Sequence, residues 1–344
     1  MPGDNIETIR LALHSFSFEQ HFLHKPGFDA HAFLARASEL GVSGVHISLN
    51  GHNFRCAGGT SPSRLAEIAA DAHNRGLFVE CDTSGTDPDH LVELAHAARQ
   101  LGADKLRTYT RHKGDPETVY AATVADLKRA ASPAADLGIT LLLENHEDFT
   151  GAEVARILDE VAHPSVAALF DFGNSMNVAE EPLEAARAMA RHTRSVHLKD
   201  HLMVRGNDGE PLIAGVANGT GNVDIATILA LLIDEADLQR ICIESSFGYC
   251  SRILRFHERL KSAPGTTFEI MEPPYDQADV LLDPDALRRR DPPVLFNLEQ
   301  AATTRGVAHA RQVLGELGFV PVLNARGAVY RRGGDTLAFA DRHF

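Results

Sequence analysis

Residues 138–174 read GITLLLENHEDFTGAEVARILDEVAHPSVAALFDFGN. A β-type apolar run, ITLLL, stops at Glu144. A stretch with apolar residues at three- and four-residue spacing follows, and a second β-type run, VAALF, stops at Asp171. The same arrangement continues downstream, where TRSVHLKDH carries His197 and RICIESSFG carries Glu244. If these strands are parallel, the four side chains converge at one end of a sheet. Three carboxylates and one imidazole make an oxygen-rich site with one nitrogen, which suits Mn²⁺ or Mg²⁺, with Co²⁺ or Zn²⁺ as alternatives. A single acid at a strand end is commonly the cap of the next helix. Four ligand-type residues in order, in one alternating chain, outweigh that bland explanation.

The alternation extends toward the N-terminus through IRLALHSFSF, GVSGVHISL, GLFVECDTS and ADKLRTYT, giving eight β-type runs separated by helix-type stretches. Several of those stretches end in glycine (Gly41, Gly76, Gly102, Gly138), as helix C-caps before short loops do. Strict alternation predicts a parallel sheet with right-handed crossovers, and eight units predict closure into a (β/α)₈ TIM barrel. In that fold the strand ends and the loops after them build the active site. The whole chain, 1–344, is expected to form one domain: a core at about 8–260 plus a final helix at 297–318, an insertion after strand eight at about 248–293, and a β-type tail at 319–344. The segment from about 201 to 223 reads as a long Gly-rich loop, suited to a lid or a substrate-binding loop. The insertion is rich in proline and charge and is expected to wrap the site or meet another subunit. The tail reads as a small β-meander with a Gly-Gly turn.

Composition narrows the function classes. With 44% hydrophobic and 23% charged residues the chain is ordinary globular protein. A formal charge of −14 argues against nucleic acid as partner, because a phosphate backbone needs a basic surface. No apolar stretch has membrane-spanning length, and MPGDNIETIR lacks the regions of a signal peptide. Four cysteines without a CxxC pair read as free thiols in a reducing cytoplasm, with Cys81 and Cys242 as plain core residues.

Side-chain alternation then sorts the neighbours of the ligands. His146 shares the parity of Glu144, and Lys199 that of His197. Asn145 and Asp200 point the other way and are expected to be structural, Asp200 having a supporting bond to a metal-bound histidine as its alternative role. On the early strands inward parity groups His14 with Phe16, His46 with Ser48, Glu80 with Asp82 and Arg107 with Tyr109. Small-molecule sites set hydrogen-bonding groups among aromatic faces, so His14, Phe16, Glu80, Arg107 and Lys199 are candidates for substrate binding; paired polar networks in the barrel would use the same residue types. Asn50 and His52 lie in the loop after strand two, within reach of the mouth. No Lys/Arg cluster marks a phosphate site, which favours a substrate without phosphate.

The motifs LLLENHE, FDFGNS, VHLKD, GTGNVD and IESS resemble those of the xylose-isomerase-like TIM barrels, the sugar phosphate isomerase/epimerase superfamily, over roughly residues 8–260 and the final helix. The resemblance implies one divalent metal held by Glu144, Asp171, His197 and Glu244, and a small sugar or glycoside as substrate. Members isomerise or epimerise keto sugars, dehydrate inososes or dehydroshikimate, or cleave glycosides; a nuclease branch acts on abasic DNA, which the −14 charge disfavours here. Ketose 3-epimerases of this superfamily commonly carry a histidine just after the strand-six aspartate. Here that segment is Asp171-Phe172-Gly173-Asn174, and a histidine stands instead at His146. This is similar to the metal-bearing subunit of C-glycoside deglycosidases, which act on 3-oxo-glycosides. The implied chemistry is proton abstraction beside a carbonyl through an enediolate, with Glu144 and Glu244 as ligands and acid–base pair and His146 as the alternative base. An isomerase or epimerase is expected, with a lyase working by β-elimination as the alternative. A homo-oligomer is expected, and a small partner subunit would accompany the lyase. A barrel that only senses a sugar is the non-enzymatic alternative, against which the complete ligand set argues.

Overall fold

In the computed structural model, which describes residues 8–256, 258, 260–324 and 327–333, local signals start and stop the helices. Ser61, Asp87 and Asp115 each accept a backbone N–H at the third helical residue and are each followed by proline, whose fixed φ suits a first turn. Thr150 and Glu153 form a reciprocal capping box. Gly41, Gly76, Gly102 and Gly138 have φ of 66°, 71°, 80° and 70°, the left-handed geometry that ends a helix at little steric cost.

The elements, in chain order, are β1 (Thr8–His14), a 3₁₀ turn (Ser15–Phe18), α1 (Glu19–His24), α2 (Ala30–Glu39), β2 (Gly44–Ser48), α3 (Pro62–Asn74), β3 (Phe78–Asp82), α4 (Pro88–Gln100), β4 (Lys105–Thr108) and α5 (Pro116–Asp136). They continue with β5 (Thr140–Glu144), α6 (Gly151–Val161), β6 (Val166–Asp171), α7 (Pro182–Met189), β7 (Thr193–Leu198), β8 (Asp200–Arg205), β9 (Pro211–Val216), α8 (Ile225–Glu235) and β10 (Arg240–Ile243). After these come β11 (Cys250–Ser251), β12 (Ile270–Met271), α9 (Pro284–Arg290), α10 (Pro292–Glu316), β13 (Phe319–Asn324) and β14 (Gly327–Arg332). Strands β1 to β7 and β10 pair in parallel, and β10 returns to β1 with Arg10 beside Arg240 and Leu13 beside Ile243. The barrel is therefore closed by the eight strands read from sequence.

Alternation separates two environments. Leu141, Leu143, Phe170, Val196, Ile241 and Ile243 belong to the main core of buried residues, shared with helical residues such as Val154, Ile157 and Leu229. Leu142, Ala167 and Leu169 form a separate small apolar cluster, and they share the parity of Glu144 and Asp171 within their strands. The ligand-bearing residues thus belong to the barrel's inner face, above an apolar layer.

Three segments depart from expectation. Residues 201–223 are chiefly a hairpin: β8 and β9 pair antiparallel from Asp200–Val216 to Arg205–Pro211, and β11 and β12 extend them into a second, four-stranded sheet. None of these hairpin residues lines the main cavity. The insertion packs on that sheet through Val280, which clusters with Leu202, Val204, Ala214 and Val216. Helix α10 begins at Pro292, five residues before the expected start, because Asp291 caps it by accepting from the Val294 N–H. The described part of the tail, residues 319–324 and 327–333, forms two antiparallel strands, β13 and β14, with β14 joined antiparallel to the start of β1; the expected Gly-Gly turn falls partly, and the rest of the expected meander wholly, outside the described residues.

Candidate metal centre

Glu144 and Asp171 are the last residues of β5 and β6, His197 is the penultimate residue of β7, and Glu244 follows β10 directly. Register sets Asp171 beside His197 on neighbouring strands. All four side chains are buried, and one ligand atom from each lies within 4.8 Å of the others. His197 Nδ1 is 2.7 Å from Glu244 Oε2, 3.0 Å from Glu144 Oε1 and 3.8 Å from Asp171 Oδ2. Two cations border the group: Lys199 Nζ lies 3.1 Å from Asp171 Oδ2 and 3.2 Å from Glu244 Oε1, and Arg107 Nη2 lies 3.2 Å from Glu144 Oε2.

These charge contacts leave Glu144 Oε2, Asp171 Oδ2 and Glu244 Oε2 buried without a hydrogen bond. Buried carboxylate oxygens are costly unless a donor or a metal satisfies them. Three such oxygens around one imidazole nitrogen fit a divalent cation with oxygen preference. The surrounding backbone aims them. Asp171 Oδ1 accepts from the N–H groups of Gly173 at 2.9 Å and Asn174 at 3.0 Å, which leaves Oδ2 to the cluster. Asn145 bonds the main chain of Asp171 across the strand gap, as its opposite parity predicts. Asp200 is likewise structural. It accepts from Gly219 and Gly221 at 2.8 Å and from Val223 at 3.2 Å, tying down the GTGNVD segment. A Cβ at Gly221 would stand 2.1 Å from Asp200 Oδ1, so only glycine fits there.

The electrostatics follow from burial and pairing. Burial alone would lower His197, but the Glu244 and Glu144 carboxylates override it and raise the imidazole above its ordinary range. Burial raises Asp171, with Lys199 opposing and Glu144 and Glu244 reinforcing. Glu144 is held low because Arg107 and His197 outweigh its burial. Burial, opposed by Glu144 and reinforced by Arg107, lowers His146 to about 4.

Above the cluster opens a cavity of about 490 Å³, a size that suits a small ligand. His14, Phe16, Arg107, His146, Lys199 and Glu244 line it, whereas Glu144, Asp171 and His197 lie beneath its floor. Phe16 reaches it from the 3₁₀ turn after β1 rather than from the strand. Glu80 does not line it. This carboxylate sits two residues before the end of β3, roughly 6–7 Å lower along the strand, where Lys105 Nζ at 3.1 Å, Arg240 Nη1 at 3.0 Å and Ser195 Oγ at 2.8 Å enclose it. Its strand neighbour Asp82, the last residue of β3, lines the cavity instead. Asp82 carries the same signal that marks Glu144 and Asp171, an acid closing an apolar run. Asn50 lines the cavity, and His52 is exposed and does not.

Other wall residues had weaker signals in the sequence. The Tyr109 ring stacks on His146 with centroids 3.7 Å apart and planes 6° from parallel. Tyr249, from the segment after β10, donates its hydroxyl to Glu147 at 2.7 Å. Arg111, four residues after Arg107, and Arg55, from the loop after β2, join Arg107 and Lys199 around the same cavity. The lack of a local Lys/Arg cluster therefore does not mean a site poor in cations, and the sequence-level argument for a substrate without phosphate loses its basis.

The chain belongs to the xylose isomerase-like TIM barrel family, whose model matches residues 34–248. It is 29% identical over 258 residues to the uncharacterised protein YihM of Escherichia coli K12, covering 74% of this chain and 78% of that one. A D-psicose 3-epimerase of Clostridium cellulolyticum H10, crystallised with D-tagatose, shares the fold with a TM-score of 0.59 at 15% identity over 89% of this chain and 99% of that one. A xylose isomerase-like TIM barrel protein of Mycobacterium smegmatis, crystallised with magnesium, has a TM-score of 0.54 at 17% identity, over 71% of this chain and 91% of that one. Among the described residues no helix is long and apolar enough to cross a membrane.

Proposed function

We propose that this protein is a divalent-metal-dependent sugar isomerase or epimerase that removes a proton beside a carbonyl. The observation that carries this reading is the convergence of four buried ligand atoms under a sugar-sized cavity. Glu144, Asp171, His197 and Glu244 would hold the ion, Mn²⁺ by preference, with Mg²⁺, Co²⁺ or Zn²⁺ as alternatives. When bound, the ion supplies Lewis-acid polarisation of the substrate carbonyl and offsets the charge of the enediolate, a stabilisation of several kcal/mol.

The remaining chemistry belongs to side chains on the wall. His146 lines the cavity and burial keeps its ring uncharged, so it presents a ring nitrogen that can take a substrate proton. Its stack on Tyr109 fixes the plane of the ring. Glu244, the one ligand of the four that lines the cavity, is the partner for proton return. Glu144 does not line the cavity and has Arg107 against it, which favours the role of ligand over its expected part in the acid–base pair. Lys199 and Arg107 donate to substrate oxygens. A proton returned to the opposite face of the same carbon gives an epimer; one returned to the former carbonyl carbon, with the neighbouring hydroxyl proton passing to the former carbonyl oxygen, gives an isomer. Expulsion of a β-substituent gives elimination, and the presence of His146 on the cavity wall favours that lyase, acting on a 3-oxo-glycoside, as the second reading. A cytoplasmic, homo-oligomeric enzyme completes the proposal, with a small partner subunit if elimination is the reaction.

Proton NMR in D₂O tests it, using Mn²⁺-loaded protein with ketoses, inososes and 3-oxo-glycosides. Deuterium entering a recovered or epimerised sugar supports the isomerase; an enone with released water or aglycone supports the lyase. Glu144→Gln should abolish either. No exchange with any of them contradicts the enediolate chemistry.

A further inference from the structure

His197 has two faces. Its Nδ1 meets the three carboxylates, and its Nε2 lies 3.2 Å from Nδ1 of His46, a fully buried residue of β2. His46 Nε2 and His14 Nε2 lie 3.9 Å and 3.1 Å from the same atom, Asp82 Oδ1. None of these last three atoms has a hydrogen-bond partner, so both approaches to Asp82 are charge contacts. The other oxygen of Asp82 is occupied, accepting from Ser48 Oγ at 2.9 Å and Asn50 Nδ2 at 3.0 Å.

Proton bookkeeping decides what this cluster is. The three histidines lie close enough to suggest a second metal site. However, His14 Nδ1 accepts the Phe16 N–H at 2.9 Å, so in the neutral ring the proton is on Nε2. That protonated nitrogen stands 3.1 Å from Asp82 Oδ1 and has no lone pair to offer a metal. With the ion on His197 Nδ1, as the metal reading requires, the proton of that ring is on Nε2, which then donates to His46 Nδ1 at 3.2 Å. His46 is then protonated on Nε2, 3.9 Å from Asp82 Oδ1, a separation at which the carboxylate acts on the ring by charge rather than by a hydrogen bond. Each nitrogen thus has one consistent role.

We infer that His46 and Asp82 are positioning residues, an outer chain from Asp82 through His46 to His197 that fixes the tautomer and orientation of the histidine ligand and passes carboxylate charge toward its ring. This rests on the metal reading above. Carboxylate–histidine–metal chains are general, and loss of an outer partner typically costs about 10–100-fold in metal affinity or activity. Here the chain contains an additional imidazole.

The test is calorimetric titration of Mn²⁺ into the metal-free, full-length protein, with thermal melting of each variant measured alongside. The wild type should bind one Mn²⁺ per chain. His46→Leu should bind about 10–100-fold more weakly. His46→Asn, whose side-chain oxygen can accept where Nδ1 accepted, should recover most of that loss. If His46→Leu fails to fold, Asp82→Asn carries the test and should weaken binding in the same direction. Wild-type affinity in His46→Leu overturns the inference, as does an Asn variant no better than Leu, which would mean packing alone. Two Mn²⁺ per chain overturns it as well, by making the histidines ligands. No binding by the wild type instead overturns the metal reading on which the inference stands.

Discussion

Asn145 holds the main chain of Asp171 at both of its polar groups, donating Nδ2 to the carbonyl at 2.9 Å and accepting the N–H on Oδ1 at 2.7 Å. One residue past a ligand on β5, it thereby fixes the height of the ligand on β6. Replacing Asn145 with Leu strands two buried backbone groups at a cost of about 1–3 kcal/mol each. Denaturant unfolding should show that loss, and Mn²⁺ affinity should fall with it. Unchanged stability would contradict the role.

Glu80 is a structural anchor rather than a substrate group. Removing one member of a buried charge group costs roughly 3–5 kcal/mol, and Glu80→Ala should approach that figure. Burial raises the Glu80 pKa, but Lys105 and Arg240 override it and hold it at about 2, against 4.5 for an ordinary glutamate. The group is depressed in the fold, so its contribution is fully present above about pH 4.5 and is lost as pH falls toward 2. Acid unfolding of wild type should be steeper across that window than that of the Ala variant, and parallel curves would refute the pairing.

Glu180 behaves in the opposite sense. Burial lifts it to about 7, with Glu153 and Glu184 adding repulsion, although its Oε2 accepts the Gly151 N–H at 2.8 Å. A carboxyl raised in the fold destabilises as it ionises, between about pH 4.5 and 7. Glu180→Gln should therefore melt higher than wild type at pH 8 and close to it at pH 4.5. A difference independent of pH would exclude this account.

His146→Phe keeps a flat ring against Tyr109 and removes the base. Turnover should fall by roughly 10²–10⁴, while Mn²⁺ affinity stays near wild type because His146 is not a ligand. Full turnover in this variant would return the proton transfer to the carboxylates alone.

The barrel and the convergence of Glu144, Asp171, His197 and Glu244 were legible because each strand is a short apolar run and each of the four residues stands at or next to its end. Asn145 and Asp200 were legible from alternation alone. What failed did so for specific reasons. Alternation places Glu80 and Asp82 on one face but does not give depth, and the residue nearer the strand end reaches the cavity. The segment HLMVRGNDGEPLIAGV holds two β-type runs around an Asp-Gly turn, a hairpin signal masked by the expectation of a loop between strand and helix. Arg55, Arg111 and Tyr249 come from loops, where neither periodicity nor spacing indicates which way a side chain turns.

The central claim is that Glu144, Asp171, His197 and Glu244 hold one divalent cation. Anomalous diffraction at the manganese edge, from crystals grown with Mn²⁺, tests it most directly. The account predicts one strong peak per chain, enclosed by those four side chains, with Lys199 Nζ displaced from its contacts to Asp171 and Glu244. A peak on other residues, or none in crystals containing Mn²⁺, would contradict it.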